Sequence, residues 1–120
     1  MQIIITGRGI KLTDAIEDYV NKKINSLEKF FPGIVRAEVV VGVDNHHHKK
    51  GTIFVAECRL SVPGNDVFAS KLELTLYKAI DKVRDYLEGE LKKHKAKLRG
   101  NERRKNVTRR NNKEYHSEND

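Results

Sequence analysis

The stretch LYKAIDKVRDYLEGELKKHKAKL, residues 76–98, is a long regular pattern that decides the fold. Its apolar side chains recur every three or four positions, which is the period of an amphipathic helix. Such a helix is about 35 Å long, so its C-terminal turns should extend past a small sheet, with Gly100 as the C-terminal cap. The residues of the apolar stripe are Leu76, Ile80, Val83, Leu87, Leu91, His94 and Leu98.

Three strand-like stretches precede this helix. Residues 34–43 and residues 52–62 alternate apolar and polar side chains, which is the period of a strand with one buried face. The tetrapeptide PGND, residues 63–66, predicts a turn because proline and glycine favour the dihedral angles of tight turns. Residues 67–70 then return as the partner strand of a hairpin.

The N-terminal segment predicts one more strand and a second helix. Residues 2–6, QIIIT, are rich in β-branched side chains. Thr13 precedes Asp14 and Glu17, an N-cap hydroxyl followed by acids in the first turn, and the FPG of residues 31–33 ends the helix. The order β-α-β-β-β-α predicts an α+β two-layer sandwich, in which both helices cover one face of a four-stranded mixed sheet.

Positive charge is concentrated at one end of the chain. Residues 1–91 contain 13 Lys and Arg against 13 Asp and Glu, whereas residues 92–120 contain 11 against 4. The whole net charge of +7 therefore lies in the last quarter, which indicates an anionic partner. Residues 100–120 are almost entirely polar, so we predict a disordered basic tail after a folded domain of residues 1–99.

The sequence offers no constellation of residues for catalysis. Cys58, the single cysteine, cannot form an internal disulfide, and its place on an apolar strand face predicts a buried, inert thiol. His46, His47 and His48 are adjacent and point in different directions, so a polar loop is favoured over a metal site. No apolar run is long enough to span a membrane. We expect a cytoplasmic, non-enzymatic protein without cofactor, metal or small-molecule substrate.

Basic side chains on both predicted helices form the candidate binding surface. Five bases crowd the last two turns of the second helix, more than the helix dipole explains. A basic tail without an apolar face favours nucleic acid over a membrane, and the lack of a helix-turn-helix or zinc module favours RNA recognised by shape and backbone. The candidate RNA-binding residues are Lys22, Lys23, Lys29, Lys78, Lys82, Arg84, Lys92, Lys93, Lys95, Lys97 and Arg99.

Two segments of the chain carry a resemblance to a known family: residues 1–31, MQIIITGRGIKLTDAIEDYVNKKINSLEKFF, and residues 76–98. They resemble the bacterial ribosome hibernation-promoting factors, also called sigma-54 modulation proteins. The match covers about residues 1–99 and favours a short form with a basic extension. It implies a fold similar to double-stranded-RNA-binding domains. It also implies binding to the small (30S) subunit of the 70S ribosome through 16S rRNA. The bound protein would cover the positions of messenger RNA and of the A-site and P-site transfer RNAs. Members block initiation and store inactive ribosomes in stationary phase or stress.

The resemblance extends to individual basic residues. Lys23 matches the family's lysine on the first helix, and Lys93, Lys95 and Lys97 match its KxKxK ending. Tyr77 matches the tyrosine that opens the second helix. The implied role of these lysines is contact with the RNA backbone.

Three positions depart from the family pattern. Ser26, Tyr86 and Gly89 stand where basic residues are common, which weakens the expected contacts of the middle turn of the second helix. Lys82 and Arg84, one turn earlier, are expected to compensate.

Two further interpretations remain open from the sequence. One is a general double-stranded-RNA-binding module, although its basic cluster would belong at the start of the second helix rather than at the end. The other is self-association of the free protein through an apolar strip of Val40, Ile53 and Val55 on the open sheet face. The sequence is compatible with promotion of 100S ribosome dimers and with silencing of single 70S particles.

Overall fold

Four strands and two helices follow one another in the order β-α-β-β-β-α, as predicted. The computed structural model describes residues 1–44 and 51–111, and side chains as far as Gly100. The elements are β1 (Gln2–Arg8), α1 (Asp14–Asn25), a 3-10 turn (Ser26–Lys29), β2 (Arg36–Asp44), β3 (Ile53–Val62), β4 (Asn65–Glu73) and α2 (Leu76–Asn111).

The strands form one mixed sheet in the order β1-β2-β3-β4. Strands β1 and β2 are parallel because α1 crosses between them, whereas β3 pairs antiparallel with both of its neighbours. The hairpin turn consists of Pro63 and Gly64, since Val62 already pairs with Asn65. Gly64 has a φ of 90°, which side-chain-bearing residues rarely adopt. Strand β4 is therefore longer than the predicted residues 67–70.

The core lies between one face of the sheet and the two helices. Helix α2 buries Ile80, Val83, Leu87 and Leu91 to 2% exposure or less. Each such side chain contributes about 1.5–3 kcal/mol of transfer free energy to folding. The sheet and α1 complete the core with Val20, Ile24, Ala37, Val39, Val41, Ala56, Cys58, Leu60 and Ala69.

Threonine hydroxyls cap both helices at their N-termini. Thr13 Oγ1 accepts a hydrogen bond from the Ile16 amide at 3.2 Å, which confirms the predicted cap of α1. Thr75 Oγ1 accepts from the Lys78 amide at the same distance and begins α2. Each bond satisfies an amide that has no partner within its helix. At its other end α1 tightens into the 3-10 turn before Pro32.

Helix α2 is longer than the sequence predicted. The prediction that it ends near Leu98 with Gly100 as a cap is wrong, because the helix continues to Asn111. A capping glycine needs a positive φ, and Gly100 is not among the described glycines that have one. A helical glycine costs only about 1 kcal/mol relative to alanine, and the good helix formers around it sustain the helix. Residues 112–120 of the predicted tail lie outside the described residues.

The predicted apolar strip on the open sheet face is also wrong. Ile53 and Val55 are only 7% and 3% exposed. Strand β3 is an interior strand, so Val55 is flanked by Gly42 on β2 and by Leu72 on β4. The exposed apolar side chains of this face lie instead on the two edge strands, and they are Ile4, Phe68 and Leu72.

Cys58 is buried in the sheet, as predicted. Its side chain faces the core from the centre of β3, and burial raises the pKa of its thiol to about 12. The thiol therefore stays protonated at neutral pH and is a poor nucleophile.

Candidate RNA-binding surface

The two helices are joined by a polar cluster at Asp81. The Tyr19 hydroxyl donates a hydrogen bond of 2.6 Å to Asp81 Oδ1, and Lys23 Nζ lies 3.4 Å from the same oxygen. The Lys23 ammonium is also 5.4 Å from the centre of the Tyr19 ring, and Tyr77 packs edge-on against that ring. Lys23 is thus held in place by α2 while its side chain remains one-third exposed.

The hydrogen bond to the Asp81 carboxylate, with a smaller effect of burial, raises the pKa of Tyr19 to about 12. Because this folded-state pKa lies above the unfolded one, the contribution to stability is complete below pH 10 and is lost as pH rises through about 12. We expect Asp81→Asn to lower the Tyr19 pKa towards the ordinary value.

Absorbance titration near 295 nm checks this prediction, with a Tyr19→Phe titration subtracted to isolate one phenol. Asp85→Asn is the matched control, because Asp85 is an exposed carboxylate of the same helix. An unchanged Tyr19 titration in Asp81→Asn would contradict the assigned hydrogen bond.

Arg84 fastens α2 to the 3-10 turn. Its Nε donates to Ser26 Oγ at 3.0 Å, and its guanidinium lies 5.5 Å from the centre of the Phe30 ring. It also forms ion pairs with Asp85 and Glu88, and its side chain is only 17% exposed. The structure thus gives Arg84 four partners within the protein, and little of its side chain is accessible to RNA. Its contribution to RNA binding stays a prediction.

Phe30 brings together three of the predicted basic residues. Lys29, Arg84 and Lys92 each place a cation 5.1–5.5 Å from the centre of its ring. Lys92 also pairs with Glu88 at 2.9 Å, and this bond, with Arg84, lowers the pKa of the Glu88 carboxyl. The sequence did not indicate this cluster, because Phe30 follows α1 and belongs to no periodic stripe.

A second group of basic residues lies on the side of α2 that faces β4. Lys78 and Lys82 share the single carboxylate of Glu73, at 4.0 and 3.3 Å. Lys93 lies further along the same side and pairs with Glu90 at 3.4 Å. One glutamate cannot neutralise two lysines, so this side keeps an excess of positive charge.

The KxKxK ending does not present one face. Lys93 and Lys97 are one turn apart and line a shallow hollow beside the start of β4. Lys95 lies between them in sequence and therefore on the other side of the helix, which α1 faces. Arg99 lies two turns beyond Lys92 and shares that side. The predicted lysines of this ending thus reach partners on both sides of α2.

Several predicted residues form no ion pair with the side chains that the structure describes. Among the side chains that the structure describes, no carboxylate lies within 4.0 Å of five of the predicted cations. They are Lys22, Lys29, Lys95, Lys97 and Arg99. These cations are free to pair with an anionic partner.

The open sheet face differs from the helix layer in its charge balance. Arg8 pairs with Glu57 across β1–β3 at 3.5 Å, and Arg36 pairs with Glu38 on β2 at the same distance. Arg59 lies 3.7 Å from Asp66 on β4. The described arginines of this face are therefore matched by acids, whereas the helix layer has excess positive charge. The electrostatic field of the folded domain therefore attracts anions to the helix layer more strongly than to the open sheet face.

A metal site and a membrane-spanning helix are both absent from the described part of the chain. Within residues 1–44 and 51–111, no group of three or more His, Cys, Asp or Glu could hold a metal ion. The histidines at positions 46–48 lie outside the described residues. No helix in the described part of the chain is long and apolar enough to cross a membrane.

The fold is that of a known class of protein. Residues 3–99 match the model of the family described as Sigma 54 modulation protein / S30EA ribosomal protein, and the chain belongs to this family.

Three relatives have the name ribosome hibernation promoting factor. The chain is 34% identical to that of Pseudomonas putida over 97 residues, 81% of this chain and 89% of the relative. It is 37% identical to that of Azotobacter vinelandii over 97 residues, 81% and 85% of the two chains. With that of Escherichia coli strain K12 it shares 34% identity over 99 residues, 82% and 98%.

Two solved structures have the same fold. The Protein Y N-terminal domain of Thermus thermophilus is 34% identical, with a TM-score of 0.69 over 78% of this chain and 99% of that one. A ribosomal subunit interface protein of Coxiella burnetii is 22% identical, with a TM-score of 0.70 over 80% and 99% of the two chains. The second likeness concerns the fold alone.

Proposed function

We propose that this protein is a non-enzymatic, ribosome-binding inhibitor of translation. It binds the small (30S) subunit and occupies the region used by messenger RNA and by the A-site and P-site transfer RNAs. Occupation of this region blocks initiation and stabilises hibernating 70S ribosomes in the cytoplasm during stationary phase or stress. The description of the family and the names of the relatives support the ribosomal partner and the link to hibernation.

The observation that supports this proposal most directly is the uneven charge of the two layers. Lysines without an acidic partner among the described side chains lie on the helices, while the described arginines of the open sheet face are paired. Folded 16S rRNA supplies phosphates, with which lysine and arginine form strong charge-assisted hydrogen bonds. The helix layer is therefore the surface that we assign to the rRNA, and the basic segment of residues 100–120 extends that contact along the messenger channel.

Sucrose-gradient sedimentation of ribosomes with added protein tests the function. We expect the protein to sediment with 30S subunits and with 70S particles, and the profile also shows whether 100S dimers form. Failure of 30S subunits to bind the protein at low ionic strength would overturn the proposal. Equal affinity for 30S subunits and for plain duplex RNA would favour a general double-stranded-RNA-binding module instead.

The salt dependence of binding tests the role of the C-terminal segment. The logarithm of affinity should fall with the logarithm of salt concentration, with a slope of about −0.7 to −0.9 per neutralised phosphate. Removing residues 100–120 should make this slope shallower without unfolding the domain, since none of the α2 side chains described between Lys92 and Gly100 is buried. Circular dichroism of the truncated chain provides the control. An unchanged slope would contradict a contact between this segment and RNA.

A further inference from the structure

Tyr86 is an exposed aromatic residue in basic surroundings on the side of α2 that faces β4. Its side chain is 44% exposed, and the Lys71 ammonium lies 4.6 Å from the centre of its ring. Lys71 forms no ion pair with a carboxylate among the residues that the structure describes. The Tyr86 ring therefore contacts a cation that has no described acidic partner, and the ring itself remains accessible.

The surface next to the Tyr86 ring is open. Gly89 follows at i+3, the position whose side chain would lie beside residue 86 on a helix. A Cβ placed on Gly89 would meet nothing within 4 Å. A flat group can thus approach the ring across Gly89 without displacing another side chain.

Lysines flank the ring along the helix axis. Lys82 lies one turn before Tyr86 and Lys93 two turns after it, about 6 and 10 Å along the axis. Four lysines and two glutamates lie around the ring, so the local net charge is positive and favours an anionic ligand. These residues are Lys71, Lys78, Lys82 and Lys93, and Glu73 and Glu90.

The other exposed aromatic residues have different surroundings. Tyr77 packs edge-on against Tyr19 at 4.8 Å and belongs to the junction of the helices. Phe68 lies on the sheet face under Arg59, which is already paired with Asp66. Tyr86 combines an accessible ring, a cation without an acidic partner and an excess of flanking lysines.

We propose that Tyr86 is a stacking site for an unpaired RNA base, with Lys71 and Lys82 contacting the phosphates of the same strand. Aromatic stacking between basic side chains is how proteins hold single-stranded nucleic acid, and any base offers a suitable face. An acidic peptide would satisfy the lysines but would leave the ring without a planar partner. This inference rests on the proposed function, because it specifies an unpaired nucleotide of rRNA as one ligand of the helix layer.

Three variants test the proposal on 30S subunits and on a short single-stranded RNA without secondary structure. We expect Tyr86→Leu to weaken binding to both ligands by about 5- to 150-fold, the range of aromatic stacking on a base. Tyr86→Phe should keep affinity within about twofold, because phenylalanine offers the same π-face. Ile4→Ala is the control, a change at a similarly exposed apolar residue on the open sheet face of β1, and should bind as the wild type does.

The outcomes separate the two proposals. If wild-type protein fails to bind 30S subunits but binds the oligonucleotide in a Tyr86-dependent way, the proposed function fails and the stacking site stands. If wild type binds 30S subunits and Tyr86→Leu binds them equally well, the stacking site is overturned and the function stands. A zero-length ultraviolet crosslink from residue 86 to rRNA is the expected positive result. A crosslink from residue 86 to a ribosomal protein instead would overturn the proposal.

Discussion

Replacing Lys93, Lys95 and Lys97 together with glutamate is expected to abolish binding to the small ribosomal subunit. Lys95 and Lys97 have no acidic partner among the described side chains, and Lys93 has only the exposed pair with Glu90. Each lysine that contacts a phosphate releases counterions, so three reversals remove attraction and add repulsion. We expect affinity at least about 100-fold lower at physiological salt, and a salt slope shallower by about 2–3.

The matched control makes the same change in net charge away from the helix layer. Lys11, Arg36 and Arg59 replaced with glutamate give such a variant, on a loop and on the open sheet face. The two arginines form exposed ion pairs, each contributing about 0–1 kcal/mol, and Arg59 adds an exposed contact with the Phe68 ring, so this variant should fold. Filter binding or sedimentation compares the two. Equal loss of affinity in both would show that net charge, rather than the position of the lysines, governs binding, and would overturn the site.

The second large effect is expected from Gly42→Ala in the sheet. Gly42 on β2 lies opposite Arg8 on β1, and a Cβ at this position would be 2.0 Å from the Arg8 carbonyl oxygen and 2.8 Å from its carbon. Both atoms belong to backbone, which cannot rotate away, so the end of β1 must move off β2. We expect the free energy of unfolding to fall by about 2–3 kcal/mol, and Tm by about 10–20 °C.

Gly89→Ala is the matched control for this substitution. A Cβ at Gly89 meets nothing within 4 Å, and alanine is favoured over glycine in a helix by about 0.5–1 kcal/mol. Thermal denaturation followed by circular dichroism should therefore show opposite shifts for the two variants. A Gly42→Ala protein as stable as the wild type would contradict the close approach of β1 and β2.

The predictions that succeeded rest on local patterns. Thr13 was recognised as an N-cap because the acids after it complement the helix dipole, and its hydroxyl does cap α1. The mixed sheet follows from the position of α1 between two strands, since a crossover through a helix joins parallel strands. Cys58 was placed in the core by strand alternation alone. Each of these signals spans only a few residues.

The contacts that the sequence did not reveal join distant segments. Tyr19 and Asp81 are 62 residues apart, so no periodicity relates them. The gathering of Lys29, Arg84 and Lys92 around Phe30 depends on how α2 crosses the 3-10 turn. From the sequence, these bases are expected to be equal members of one surface. In the folded protein, Arg84 instead mainly holds α2 against the 3-10 turn that follows α1.

The length of α2 was the main error, and its cause is specific. Glycine is common as a helix cap and also occurs inside helices. The two cases differ in the φ of the glycine, which the sequence does not determine. The sequence predicts a cap at Gly100 because glycine is favoured just after the end of a helix. The helix instead continues to Asn111, since arginine, lysine and glutamate sustain a helix without apolar burial.

The continuation of α2 carries the helix past the body. His94 still contacts the body, through a hydrogen-bond contact of 2.9 Å with the Pro63 carbonyl oxygen and an edge-on contact with the Phe31 ring. Residues 95–111 then continue as a helix about 25 Å long that contains Gly100. Because none of the side chains described between Lys95 and Gly100 is buried, this end of the helix can unwind against a partner without removing a side chain from the core.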